Sequence, residues 1–186
     1  MGIGGRRAVF LDRDGVINRV AVREGKPYAP ASLEELRLAP DALESLRDLK
    51  RRGFLLIVAT NQPEVARGKL QREAVDEINR AISAALPLDG VLVCYHSDED
   101  GCECRKPLPG LLLQAARLHA IELAGSFMIG DRWRDIDAGH NAGCKAILID
   151  GAYRERSPSR EPEARVKGLR EAVDWILQSI PKGENP

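Results

Sequence analysis

Two aspartates, Asp12 and Asp14, stand in the run Ala8-Val9-Phe10-Leu11-Asp12-Arg13-Asp14-Gly15. A short apolar stretch stops abruptly in acid and glycine, the pattern of a buried strand whose carboxyl end opens into a turn. At that spacing the carboxylates can divide the work. One can hold a hard cation or attack an electrophile, and the other can move a proton. Asp-x-Asp-Gly also occurs in plain turns and calcium loops, so the pair alone leaves the chemistry open.

Three further stretches carry reactive groups. Thr60-Asn61-Gln62 follows the apolar run Phe54–Ala59, and a hydroxyl with two amides at a strand end suits phosphate oxygens. Asp131 follows Ser126–Ile129 and Gly130, with Asp135 four residues on and so over the same face of a helical turn. Asp137 should point elsewhere, and capping of the helix by Asp131 or Asp135 is the plainer alternative. Cys94, His96, Cys102 and Cys104 supply three thiols and an imidazole within eleven residues. Such a quartet matches a closed tetrahedral zinc site, against chance cysteines or a redox pair. Four protein ligands leave no position for a substrate water, so the expected role is structural. Arg105-Lys106 follow directly. Beside a rigid knuckle they are expected to face a ligand, as a planar fork and a point charge for phosphate oxygens, rather than form a solvated pair. Cys144 lies far from the quartet and reads as a small buried apolar residue.

The elements that must position these groups follow from periodicity. Helices are expected from Pro40-Asp41 to Gly53, through about Ala85, from Pro109 onward, up to Gly143, and over about 167–180. Buried strands are expected at Ala8–Leu11, Phe54–Ala59, Gly90–Cys94, Ser126–Ile129 and Lys145–Asp150. Strands alternating with helices indicate parallel βαβ units in one α/β sheet. In a doubly wound sheet, Asp12, Asp14, Thr60 and Asp131 converge on one crevice. Residues 19–40 show little periodicity and read as a long irregular loop, lining the site or merely crossing the surface. Residues 151–163 read as a surface loop, Trp175 as partly exposed, and the chain after Pro181 as a fraying tail.

The chain has 186 residues with 28 basic and 28 acidic side chains. That suffices for one domain, 1–186, with a real core. A neutral balance and few aromatics argue against a nucleic-acid partner. No apolar run approaches the roughly 20 residues of a membrane helix, and Met1–Arg7 does not read as a secretory signal. A cytoplasmic monomer is expected.

Asp-x-Asp-Gly-Val at Asp12–Val16, Thr60, Lys106 and Gly130-Asp131…Asp135 together resemble the four motifs of the haloacid dehalogenase superfamily of phosphatases, in the same order and over about residues 8–150. The resemblance implies a doubly wound, Rossmann-like α/β fold with helices on both faces, a minimal cap and a zinc-stabilised loop at about 94–104. It implies that Asp12 is the nucleophile, that Asp14 is the acid and base, and that Thr60 and Lys106 hold the phosphoryl oxygens. Catalytic Mg²⁺ would be bound by Asp12, Asp14 through its backbone carbonyl, and Asp131, with Asp135 in support. Cys-x-His…Cys-x-Cys-Arg-Lys-Pro and Thr-Asn-Gln resemble the branch holding heptose-bisphosphate and histidinol-phosphate phosphatases. Val65–Gly68 and Pro107–Gly110 look like the heptose enzymes. The short gap between His96 and Cys102 looks like the histidinol-phosphate enzymes, and Pro63-Glu64 departs from the heptose pattern. The substrate implied is a small phosphorylated sugar, D-glycero-D-manno-heptose 1,7-bisphosphate losing its 7-phosphate, with histidinol phosphate or another sugar phosphate as the alternative. Asn61, Gln62, Arg67, Arg105 and Arg132 are the candidate substrate-binding residues, Arg67 and Arg105 for a second phosphate.

Overall fold

The apolar runs of the sequence become the strands of one parallel sheet. The computed structural model describes residues 5–151 and 153–181. In chain order the elements are β1 (Ala8–Leu11), β2 (Ala21–Arg23), β3 (Lys26–Tyr28), α1 (Ala42–Arg51), β4 (Leu55–Asn61), α2 (Arg72–Ala85), β5 (Gly90–Cys94), α3 (Gly110–His119), β6 (Phe127–Gly130), α4 (Trp133–Ala142), β7 (Lys145–Ile149), β8 (Ala164–Val166) and α5 (Leu169–Ser179). The sheet runs β5-β4-β1-β6-β7-β8, every pair parallel. In register, Leu11 of β1 lies between Val58 of β4 and Ile129 of β6.

Successive side chains on a strand face opposite sides, and both sides are covered. Val9, Leu11, Leu56 and Val58 pack with Leu46 and Leu49 of α1, Ile78 and Ile82 of α2, and Val173 and Ile176 of α5. Ala8, Phe10, Leu55 and Ile57 pack with Leu111, Leu112 and Ala115 of α3. Burial on both faces is why the strands read as unbroken apolar runs rather than alternating ones. Half-buried Trp175 sets its ring edge-on to Phe127, 6.4 Å between centroids. Buried Cys144 joins the α3 side of the core.

The topology makes the site. From β1 the chain moves outward to β4 and β5, then returns to β6 on the other flank of β1. Ligand crevices of open parallel sheets lie at such a reversal, outside the carboxyl ends of the strands. Asp12 and Asp131 directly follow β1 and β6.

Four expectations need correction. Residues 19–40 are not irregular throughout: β2 and β3 form an antiparallel hairpin. Its turn places Glu24 and Gly25 at φ 52° and 75°, a left-handed pair that matches the twist of the flanking strands. The sheet has a sixth strand, β8, just after the expected surface loop, and α5 starts two residues later than expected. Strands of three residues are defined by their partner, not by an apolar pattern of their own, so periodicity passes over them. Finally, β4 runs through Thr60 and Asn61 rather than stopping at Ala59. The expected fraying beyond Pro181 falls on 182–186, outside the described residues. Among the described residues no helix is long and apolar enough to cross a membrane.

Candidate active site

Asp12, Asp131 and Asp135 bring one carboxylate oxygen each to within 4.8 Å of one another, all three residues buried. Lys106, 1% exposed, stands among them. Its Nζ donates to Asp12 Oδ1 at 2.8 Å and pairs with Asp135 Oδ1 at 2.5 Å. Asp135 also accepts the Arg132 N–H on Oδ2 at 3.0 Å. It therefore caps α4 and faces the cluster at once, so the two sequence readings of Asp135 hold together. Gly15 is required here for two reasons. Its φ of +86° is left-handed, and a Cβ would lie 1.7 Å from Asp131 Oδ2.

The electrostatics are those of crowded carboxylates. Burial pushes the Asp12 carboxyl up to about 6, with Lys106 opposing and Asp135 and Asp14 adding to the rise. Burial, then the Asp12 and Asp135 charges, push Asp131 well above the carboxylate range. Burial works against the Lys106 ammonium, but Asp12 and Asp135 outweigh it and hold the amine above the ordinary lysine range. Three carboxylates against one ammonium call for more positive charge. Asp131 Oδ1 is buried without a hydrogen-bond partner, an acceptor left for a cation. This donor set, all oxygen, suits Mg²⁺.

The Asp14 carboxylate is engaged by other partners. Oδ1 accepts Asn18 Nδ2 at 3.0 Å, Oδ2 accepts Gln62 Nε2 at 2.7 Å, and Arg13 donates from Nε and Nη2 at 3.1 and 3.0 Å. Arg13, which the sequence did not single out, is fully buried and anchored to Asn79 of α2 at 2.9 Å. Gln62 also donates to the buried Thr60 hydroxyl at 2.9 Å. Asn61 clamps the Lys106 backbone, donating to its carbonyl at 3.0 Å and accepting its N–H at 3.1 Å. Thus Asn61 and Gln62, expected on the substrate, are engaged in positioning Lys106 and Asp14.

A cleft of about 480 Å³ opens over these groups. One wall is Tyr28–Ala31 at the end of the hairpin, so the 19–40 segment does line the site. The other carries Arg67, Arg105, Arg132 and Arg134. Each arginine already faces an acid. Arg105 binds Asp98 from Nε and Nη2 at 2.9 and 3.2 Å, Arg134 binds the same Asp98 at 3.0 Å, Arg67 pairs with Glu64 at 2.6 Å, and Arg132 pairs with Glu155. No local sequence signal marks Asp98 or Glu155 as their partners.

The cysteine–histidine quartet closes beside this wall. Sγ and Nδ1 atoms of Cys94, His96, Cys102 and Cys104 lie 3.1–3.7 Å apart in five of their pairs. Tetrahedral ligands of zinc are separated by roughly 3.5–3.8 Å, given zinc–sulfur bonds of about 2.3 Å. The quartet could hold such an ion, and Lys106 is two residues beyond its last member. Asp137 does point elsewhere, accepting Ser159 N–H and hydroxyl at 2.7 and 2.8 Å. From the 151–163 loop, Tyr153 reaches back into the site and donates to Asp131 Oδ2 at 2.6 Å. Burial and Asp131 hold its phenol above the usual range, so it stays a donor.

Comparison with known proteins places this geometry. The HAD-hydrolase-like family model matches residues 103–172. A D-glycero-beta-D-manno-heptose-1,7-bisphosphate 7-phosphatase of Helicobacter pylori is 36% identical over 178 residues, 91% of this chain and 97% of that protein. The enzyme of the same name from Escherichia coli K12 is 33% identical over 187 residues, 93% of this chain and 89% of that protein. A D,D-heptose 1,7-bisphosphate phosphatase from B. bronchiseptica, crystallised with magnesium and phosphate, superposes with a TM-score of 0.74 at 28% identity, covering 94% of this chain and 99% of that one. With a doubly wound sheet, four reactive stretches at one crevice and relatives matched almost end to end, the chain belongs to the haloacid dehalogenase superfamily of hydrolases.

Proposed function

We propose that the chain is a magnesium-dependent phosphatase that removes the 7-phosphate of D-glycero-β-D-manno-heptose 1,7-bisphosphate through an aspartyl phosphate on Asp12. The observation that carries the reaction type is the buried cluster of Asp12, Asp131 and Asp135 around Lys106 at the crevice. The substrate rests on the relatives of that name, which match over nine-tenths of this chain.

An Asp12 oxygen attacks phosphorus while the bond from phosphorus to the sugar oxygen breaks, and Asp14 gives that oxygen its proton. Water then attacks the phosphoryl group, Asp14 takes the proton, and Asp12 is released with inorganic phosphate. Splitting one hard hydrolysis into two displacements is the gain from a carboxylate nucleophile. Lys106 offsets charge on the phosphoryl oxygens in both steps, with Thr60 as a further donor. Arg13, Asn18 and Gln62 fix the direction of Asp14. Asp12, Asp131 and Asp135, with the Asp14 carbonyl, would hold Mg²⁺, which when bound supplies positive charge to the phosphoryl group. Cys94, His96, Cys102 and Cys104 would hold Zn²⁺, whose role is to pin the segment that delivers Arg105 and Lys106. The distal phosphate is taken by Arg67, Arg105 and Arg132, in exchange for part of their contact with Glu64, Asp98 and Glu155.

Phosphate release from both heptose anomers beside histidinol phosphate tests the substrate. The β-anomer is expected to lead by about a hundredfold in kcat/KM, about 2.7 kcal/mol. Preference for histidinol phosphate would reject the assignment and make the short His96–Cys102 loop the better guide.

The raised carboxyls make a second expectation. The folded, metal-free protein holds a proton on Asp12 up to about 6, where the unfolded chain has lost it. A raised folded value adds stability at low pH that is lost as pH rises through about 6. A cation must displace that proton, so its affinity rises over the same window. The rise in thermal midpoint caused by saturating Mg²⁺ is therefore expected to grow severalfold between about pH 5 and pH 7. A rise that is the same at both would count against cation binding at Asp12.

A further inference from the structure

The two oxygens of Asp131 differ. Oδ2 accepts the Tyr153 hydroxyl at 2.6 Å, while Oδ1 is buried with no hydrogen-bond partner. The pairing is tightly built. A Cβ on Gly15 would lie 1.7 Å from Asp131 Oδ2 and 3.1 Å from the Tyr153 oxygen, and a Cβ on Gly151 would lie 2.4 Å from the Tyr153 ring. Two glycines thus leave room for the tyrosine to fold back over the acid. Beyond Tyr153 the chain is strapped to α4. Arg156 stacks on the Trp133 ring at 3.5 Å, and Ser159 binds Asp137 through both N–H and hydroxyl. These contacts hold the strap through groups of the chain itself. Asp12 follows a similar pattern, its Oδ1 taken by Lys106.

A carboxylate with one oxygen engaged by a short hydrogen bond offers a cation the other oxygen alone. That suits Mg²⁺, which demands a near-ideal octahedron at about 2.0–2.1 Å and takes single oxygens. It suits Ca²⁺ less, which takes about six to eight oxygens at longer range and exploits two-oxygen carboxylates. We propose that Tyr153 is a positioning residue that keeps Asp131 in single-oxygen coordination and so biases the site toward Mg²⁺ over Ca²⁺. This rests on the assignment of the acidic trio as a magnesium site.

The test is calorimetric titration of the metal-free full chain with Mg²⁺ and, separately, with Ca²⁺. Tyr153→Phe keeps the ring and removes only the hydroxyl. Loss of an outer hydrogen bond to a metal ligand weakens metal binding by roughly tenfold or more. The Mg²⁺ Kd is expected to rise by about that factor while the Ca²⁺ Kd stays level or falls. Ser159→Ala, which loosens the strap and keeps the hydroxyl, is expected to leave the ratio of the two constants unchanged. A ratio unmoved in Tyr153→Phe overturns the proposal, and so does an equal shift in Ser159→Ala, which would assign the effect to loop order. No Mg²⁺ binding by the wild-type chain would instead remove the magnesium site itself, and the proposal with it.

Discussion

Asp12→Asn is expected to lower phosphate release by about 10⁴-fold or more, about 5.5 kcal/mol of barrier. An amide is the same size as the carboxylate but a far poorer nucleophile toward phosphorus, so the first displacement has no starting point. The same change should not weaken the fold. In the metal-free protein the Asp12 charge is a liability, because burial and the neighbouring Asp135 and Asp14 push its carboxyl up to about 6. Removing that charge relieves the crowding, and Lys106 retains Asp135 at 2.5 Å. Denaturant unfolding of metal-free Asp12→Asn at neutral pH is therefore expected to give equal or higher stability than wild type. Loss of activity with retained stability is the signature of a group held in an unfavourable state for chemistry. Turnover within tenfold of wild type would remove Asp12 as nucleophile.

Lys106→Met is expected to act in the opposite sense on stability. The ammonium is the cation recorded at 2.8 Å from Asp12 and 2.5 Å from Asp135, in a site with almost no access to water. Taking one partner out of a buried ion pair leaves uncompensated charge and typically costs about 3–5 kcal/mol. Here three carboxylates would be left within 4.8 Å of one another. Metal-free Lys106→Met should unfold at markedly lower denaturant, by that amount, and should take up protons at Asp12 and Asp131 to relieve the repulsion. Added Mg²⁺ should then raise its midpoint more than it raises that of wild type, since the cation supplies the missing charge. Turnover should fall at least about a hundredfold, because charge on the phosphoryl oxygens loses its fixed counterpart. A variant as stable as wild type without metal would mean that the cluster does not depend on Lys106 for its charge balance.

The two substitutions show what kind of information each level of structure holds. A buried strand that ends in acid is a local event, written in consecutive residues. So the strands carrying Asp12, Thr60 and Asp131, the order in which they arrive, and the Cys94–His96–Cys102–Cys104 quartet were all legible in the sequence. The doubly wound sheet was legible too, because helices on both faces demand unbroken apolar strands, and five of the six have them.

What tertiary structure alone decided is who faces whom across long stretches of chain. Asn61 and Gln62, read as ligands for phosphate, line the cleft and also hold Lys106, 45 residues on, and Asp14, 48 residues back. Arg13, which nothing in the sequence singled out, is a fully buried brace from Asp14 to α2. Arg105 and Arg132, read as candidates for substrate, are also paired with Asp98 and with Glu155, 23 residues on. Tyr153 sat in a stretch with the composition of a surface loop and closes on Asp131, 22 residues away. Periodicity reports the face a residue shows to its own element, and residue type reports the chemistry available there. Neither reports hydrogen-bond partners brought together by the crossing of loops at a sheet edge, and those partners set which oxygen of Asp131 is engaged and which is left without a hydrogen bond.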